Sequence, residues 1–100
     1  MIARVWRGEV PVEKAEEYLE YMRFTGIKAY REVPGNQGVY ILRRQREGQA
    51  EFLLVSFWDS IESVRRFAGP DADKAVYYPK DKEYLIELES RVRHYEVVQA

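Results

Sequence analysis

The run Glu51-Phe52-Leu53-Leu54-Val55-Ser56-Phe57-Trp58 constrains this chain more than any other segment. Its apolar residues fall on both parities instead of alternating, the pattern of a strand covered on both faces. A chain of 100 residues makes one domain, here 1–100, and buries about 60–65% of its unfolded surface. That suffices for one sheet with one layer of helices and no more. The layer over one face must then come from this chain, and the cover over the other from elsewhere.

The flanking segments fit a single sheet. Ile2 to Glu9 mixes β-branched and Arg residues and reads as a first strand, closed by Gly8 and Pro11. Val12, Ala15, Leu19, Met22 and Gly26 follow at spacings of three and four, with Glu13, Glu16, Glu17 and Glu20 opposite. This spacing predicts one amphipathic helix of about 18–20 residues. The Pro34-Gly35-Asn36-Gln37-Gly38 cluster is a turn, and Val39 to Arg44 a second strand. Glu47-Gly48-Gln49 turns the chain into the third strand. Asp59-Ser60-Ile61-Glu62 reads as a capping box opening a helix with Ile61, Val64, Phe67 and Ala68 on its apolar face, stopped by Gly69-Pro70. One or two more helical turns are expected within Asp71–Tyr78, and Pro79–Glu83 is expected to be exposed. Arg91 to Val98 is the last strand.

The order is βαββαβ, the α+β ferredoxin-like arrangement with an antiparallel sheet, built from halves near 2–47 and 51–98. Helices cover one face. The other carries Phe52, Leu54 and Trp58, or Leu53, Val55 and Phe57, according to register. Either set is too apolar for a monomer's surface. The expectation is a homodimer with two sheets packed face to face.

Charge and residue usage exclude several functions. Sixteen Lys+Arg against seventeen Asp+Glu give a net charge of -1, with no field for a nucleic acid or an anionic membrane. The basic run Arg43-Arg44-Gln45-Arg46 is flanked by acids. There is no cysteine and one histidine, which excludes disulfides, thiolate metal sites and any site needing two imidazoles from one chain. No apolar run approaches the roughly 18–20 residues that span a bilayer. No signal-peptide core follows Met1, so a cytoplasmic location is the expectation. Asp71, Asp73, Asp81 and Glu83 match no calcium-loop spacing and read as caps and solvated surface. No phosphate loop, metal site or cofactor is predicted.

Three stretches carry a resemblance to a known family: Ala3-Arg4-Val5-Trp6-Arg7-Gly8, the junction Ser56 to Val64 with Phe67-Ala68-Gly69, and His94-Tyr95-Glu96-Val97. The chain resembles the antibiotic biosynthesis monooxygenase superfamily, dimeric α+β barrels of ferredoxin-like halves. The resemblance implies cofactor-independent oxygenation of a small aromatic, phenolic or quinone-like molecule. That chemistry needs a base, donors for developing negative charge and a dry aromatic cradle. Trp58 matches the tryptophan such enzymes place after the third strand, and Tyr77 and Tyr78 fall where they place pocket residues. Trp58, Phe67, Tyr77 and Tyr78 are the expected substrate-binding residues. His94, the one side chain that titrates near neutrality unperturbed, is the expected catalytic base. Each has a structural reading too: Trp58 as an anchor between helix and sheet, His94 as a strand residue held by backbone or facing the dimer seam, the tyrosines as packing. Arg4, Arg7 and Arg43 are expected in ion pairs with Glu9, Glu51 or Glu96, and Trp6 in the core or the interface. An enclosed pocket of a few hundred Å³ with His94 at its wall would mark a catalytic site. The alternative is a non-catalytic dimeric module binding a small ligand. The haem-cleaving branch is similar in fold, but its first-strand Asn is missing from Ile2–Gly8. Its Trp and His positions fall near Phe67 and Tyr77.

Overall fold

A computed structural model describes residues 1–100. Four strands, β1 (Ile2–Pro11), β2 (Asn36–Arg46), β3 (Gln49–Trp58) and β4 (Arg93–Glu96), form one antiparallel sheet in the order β2-β3-β1-β4. Helices α1 (Ala15–Phe24), α2 (Gly26–Glu32), α3 (Ile61–Ala68) and α4 (Asp81–Tyr84) complete the chain, α1 following a 3-10 turn at Val12–Lys14. This is the ferredoxin-like α+β fold. No helix is long and apolar enough to cross a membrane.

Register settles which parity faces which way. β1 and β3 pair from Ile2↔Trp58 to Pro11↔Gln49. Residues opposite one another in an antiparallel pair share a face. Trp6, Val10, Phe52, Leu54 and Trp58 therefore meet the helices and, with Tyr18, Met22, Tyr30 and Val64, build the core. The opposite face takes Val5, Leu53, Val55 and Phe57, continued by Tyr40 and Leu42 on β2 and Tyr95 on β4. Tyr40 is 66% exposed, Leu42 51% and Tyr95 51%, so this apolar face is bare.

The single long helix expected after β1 is two. At Thr25 the backbone leaves the helical region (φ -112°, ψ -95°). The Thr25 hydroxyl donates to the Tyr21 carbonyl at 2.8 Å, a local bond that competes with the helix ladder, and Gly26 adds little helical preference to restore it. The start of α3 is one residue later than the expected box: Ser60, not Asp59, is the cap and accepts from the Ser63 N–H at 3.3 Å, so Ser63 takes the third helical position and Glu62, one residue short of it, pairs with Arg65. The turn before β2 packs against this cap. Gly35 (φ +99°) is the residue that permits it, since a Cβ there would lie 2.1 Å from Ser63 Oγ.

Residues 70–78 are not helical. They run as a strap beside β4, with Lys74 bridged to Arg91, the Ala75 N–H donating to the Ser90 carbonyl (3.0 Å) and the Val92 N–H to the Asp73 carbonyl (2.8 Å). β4 itself is shorter than expected because residues 91 and 92 pair with the strap instead of with β1.

Candidate functional site

The strap, the helices and the helix-facing side of the sheet enclose one cleft. Trp6 and Leu54 form its floor, Tyr18, Met22, Thr25, Gly26 and Tyr30 one wall, Phe67 another, and Val76, Tyr78 and Asp81 the rim. The interruption between α1 and α2 thus lies on the cleft. Gly26 packs under the Tyr78 ring, where a Cβ would stand 3.7 Å from it, an ordinary van der Waals contact. Gly8 serves the floor: a Cβ would lie 2.4 Å from the Trp6 ring. The cavity is about 20 Å³, room for a single water and far below the few hundred Å³ of a ready ligand site.

Asp81 is the one charged group on this wall. Read from sequence as solvated surface, it is 4% exposed. Its Oδ1 accepts from the Tyr18 hydroxyl at 2.9 Å and its Oδ2 from the Tyr78 N–H at 2.6 Å. Burial lifts its carboxyl above the ordinary carboxylate range, and the two hydrogen bonds only partly offset this. Burial likewise raises the Tyr18 phenol, with the Asp81 charge adding to it, and pushes Tyr78 up to about 12. The signal available in the sequence was weak, an Asp two residues after Pro79 among Lys80, Lys82 and Glu83. Only the packing of Tyr18 over it identifies it.

The expected site residues separate. Phe67 and Tyr78 line the cleft. Tyr77 stands beside it, its ring edge-on to Trp6 at 6.3 Å and its hydroxyl donating to the Glu89 carbonyl. Trp58 lies behind the wall, fully buried, packed on Tyr30 and Phe67 with ring centroids at 5.9 and 6.1 Å. Its indole N–H donates to Ser56 Oγ at 2.9 Å. His94 does not line the cleft. On β4 it faces Arg4 across the register, with Nε2 3.1 Å from Arg4 Nη1 and Nδ1 2.7 Å from Asp73 Oδ1. Arg4 has donors only, so Nε2 accepts and the proton sits on Nδ1, donated to Asp73. Burial, and then the Arg4 charge, hold His94 below the ordinary histidine range, against the opposing pull of Asp73.

The arginines also divide. Arg7 pairs with Glu51 (2.7 Å), Glu9 (3.0 Å) and Glu89 (3.0 Å), as the strand pattern suggests, whereas Arg43 reaches Glu16 on α1 at 2.7 Å. Arg4 corrects the expectation of an ion pair. It is 1% exposed and its guanidinium donates to the Ala72 and Lys74 carbonyls at 2.6 and 3.0 Å.

Comparison with known proteins places this architecture. No curated protein matches the chain. Among solved structures it is similar to a candidate antibiotic biosynthesis monooxygenase from Bacillus cereus, at 17% identity and a TM-score of 0.67 over 99% of this chain and 96% of that one. It is also similar to the haem degrader MhuD from Mycobacterium tuberculosis with two haems bound in its active site, at 19% identity and a TM-score of 0.65 over 100% and 98%. At such identity these likenesses speak for the fold. The family model described as antibiotic biosynthesis monooxygenase matches residues 1–76, ending before Tyr78, Asp81 and His94. The match spans β1, β2, β3 and α3, and the chain belongs to the antibiotic biosynthesis monooxygenase family.

Proposed function

We propose that the chain is a cofactor-independent monooxygenase acting on a small phenolic or quinone-like aromatic molecule in this cleft. The observation that carries the reading is Asp81: a buried, hydrogen-bonded carboxylate facing a mainly aromatic and aliphatic cleft, in a member of a monooxygenase family. A carboxylate with a raised pKa suits proton abstraction from an acidic ring substrate. Asp81 accepts the proton, Phe67 and Tyr78 clamp the ring, and the low-polarity walls exclude water. The deprotonated ring passes an electron to dioxygen. In the balanced reaction a ring CH2 and O2 give a ring C=O and water, one oxygen atom in each product.

In this reading His94 is a positioning residue, because its Nε2 is already taken by Arg4. Haem is not carried over from the structural relatives. The cavity is about 20 Å³, and the Tyr77 phenol is engaged by the Glu89 carbonyl. The same small cavity favours a second reading, a non-catalytic module that admits only a small ligand. Oxygen-electrode measurements with a panel of hydroquinones and hydroxylated anthrones separate the two. Uptake above the uncatalysed rate is expected. Its absence across the panel, with ligand binding retained, supports the second reading.

The bare sheet face supports a homodimer as part of the proposal. Leu53, Val55, Phe57, Tyr40, Leu42 and Tyr95 present an apolar surface that a monomer should not expose. Leu42→Glu changes a half-exposed side chain, so the protomer's own fold should be untouched. It is expected to convert a species of twice 11.9 kDa into one of 11.9 kDa by light scattering. A wild-type mass of 11.9 kDa would sink the dimer.

A further inference from the structure

The cleft must widen to admit an aromatic ring, and its walls are not equally able to move. Trp6, Leu54, Tyr18, Met22, Tyr30 and Phe67 stand on strands and helices. Val76 and Tyr78 stand on the strap of residues 70–78, which has no regular structure of its own. Arg4 fastens this strap to the sheet: its two bonds to the Ala72 and Lys74 carbonyls cross from β1 to the strap. The guanidinium is buried, 5.5 Å over the Phe67 ring, with no carboxylate on it. His94 holds both parties, accepting from Arg4 through Nε2 and donating to Asp73 of the strap through Nδ1.

We propose that His94 is a proton-operated latch on the cleft: its neutral ring fastens strap to sheet through Arg4 and Asp73, and its protonation loosens the strap and opens the cleft. This rests on the cleft being the substrate site, and adds to it a means of regulation. Arg4 supplies only donors, and so would the protonated ring at Nε2. Protonation turns a hydrogen bond of 3.1 Å into two cations face to face. The groups facing the ring are few. Arg4 comes from β1 and Asp73 from the strap. Arg91 lies 3.8 Å from Asp73 and 2.6 Å from Asp71, drawing part of the strap's negative charge away from the histidine. The depressed pKa of His94 in this closed form agrees with the geometry.

The sign follows from linkage. The closed form binds the proton less well than an open form, in which the histidine has its ordinary pKa of about 6.5. Opening is therefore unaffected above about pH 6.5, rises as pH falls below that, and levels off once the closed form's own lowered pKa is passed. With one proton coupled, the rise is at most tenfold per pH unit.

Amide hydrogen exchange and nitrogen NMR on the 15N-labelled full chain test the latch without a substrate. At pH 8 the ring should show the proton on Nδ1. Between pH 7.5 and 5, protection of the Ala75 and Tyr78 amides should fall relative to that of Leu54 in β3. His94→Gln, whose amide oxygen still accepts from Arg4 and does not titrate, should hold protection constant over this range. Strap protection that ignores pH in the wild type, or that falls equally in His94→Gln, overturns the proposal. So does a ring protonated on Nε2 at pH 8. Strap opening that tracks His94 while no phenol is oxidised sustains the latch and counts against the oxygenase reading alone. Oxidation with a strap indifferent to pH counts against the latch alone.

Discussion

Asp81→Asn should lower the rate of phenol or hydroquinone oxidation by about 10²–10⁴, the usual contribution of a positioned general base. The loss should fall on kcat more than on KM, because the substitution keeps the shape of the cleft wall. An asparagine can serve both partners of the carboxylate, its oxygen accepting from the Tyr78 N–H and its amide donating to the Tyr18 oxygen. Stability should change in the opposite sense to activity. The native Asp81 pKa is raised, so the folded protein holds this proton more tightly than the unfolded chain. That contribution is full below the ordinary carboxylate pKa of 3.8 and disappears as pH rises through the folded value. Wild type thus bears a cost near pH 7 that the variant lacks. Urea unfolding at pH 4 and pH 7 should show Asp81→Asn gaining on wild type as pH rises. An Asp81→Asn protein that turns over at the wild-type rate removes Asp81 from the chemistry.

Trp58→Ala should unfold much of the population. The side chain is fully buried between β3, α2 and α3, in ring contact with Tyr30 and Phe67. Truncating a buried tryptophan costs about 3–5 kcal/mol through lost transfer energy and the cavity left behind. Ser56, itself fully buried, then keeps a hydroxyl without its partner, at about 1–3 kcal/mol. A domain of this size has roughly 5–15 kcal/mol in total. Chemical denaturation is the measurement, and a midpoint within experimental error of wild type would contradict the packing described. Trp58→Phe separates structure from chemistry. It retains most of the ring packing and loses the bond to Ser56, so it should cost stability while leaving the oxidation rate per folded molecule near wild type. A rate loss of tenfold or more in Trp58→Phe would mean that the indole N–H serves substrate and not Ser56.

How much of this was legible beforehand depends on how local the cause is. β3 was legible because six of the eight residues from Glu51 to Trp58 are apolar, on both parities, with aromatic and β-branched members that favour a strand. Helix α3 was legible at both ends, since Ser60 caps its own helix and Gly69 (φ +91°) ends it. The break at Thr25 was half legible. A hydroxyl beside a glycine weakens a helix, but the apolar spacing from Val12 to Gly26 runs straight through it, and the break shows only in the Thr25 backbone and in its hydroxyl's bond to the Tyr21 carbonyl. Arg4 and Asp81 were illegible. Charged residues are rarely buried, and each is buried here because a distant segment covers it: the strap carbonyls sit 68 and 70 residues from Arg4, and Tyr18 is 63 residues from Asp81.

The sequence alone indicated the α+β ferredoxin-like order of strands and the apolar surplus on the sheet, because both follow from local propensity and side-chain periodicity, and three short stretches carried the resemblance to the family. The tertiary structure decided the rest. Pairing Ile2 with Trp58 fixes a parity, and the parity alone assigns Leu53, Val55 and Phe57 to the bare face and Phe52, Leu54 and Trp58 to the core. A shift of one residue would exchange the two sets without altering a single propensity. The site has the same origin. Asp81, Tyr18, Tyr78 and the Arg4–His94–Asp73 contacts come from α4, α1, the strap, β1 and β4, and their hydrogen-bond partners exist only once long-range packing has taken water away from them.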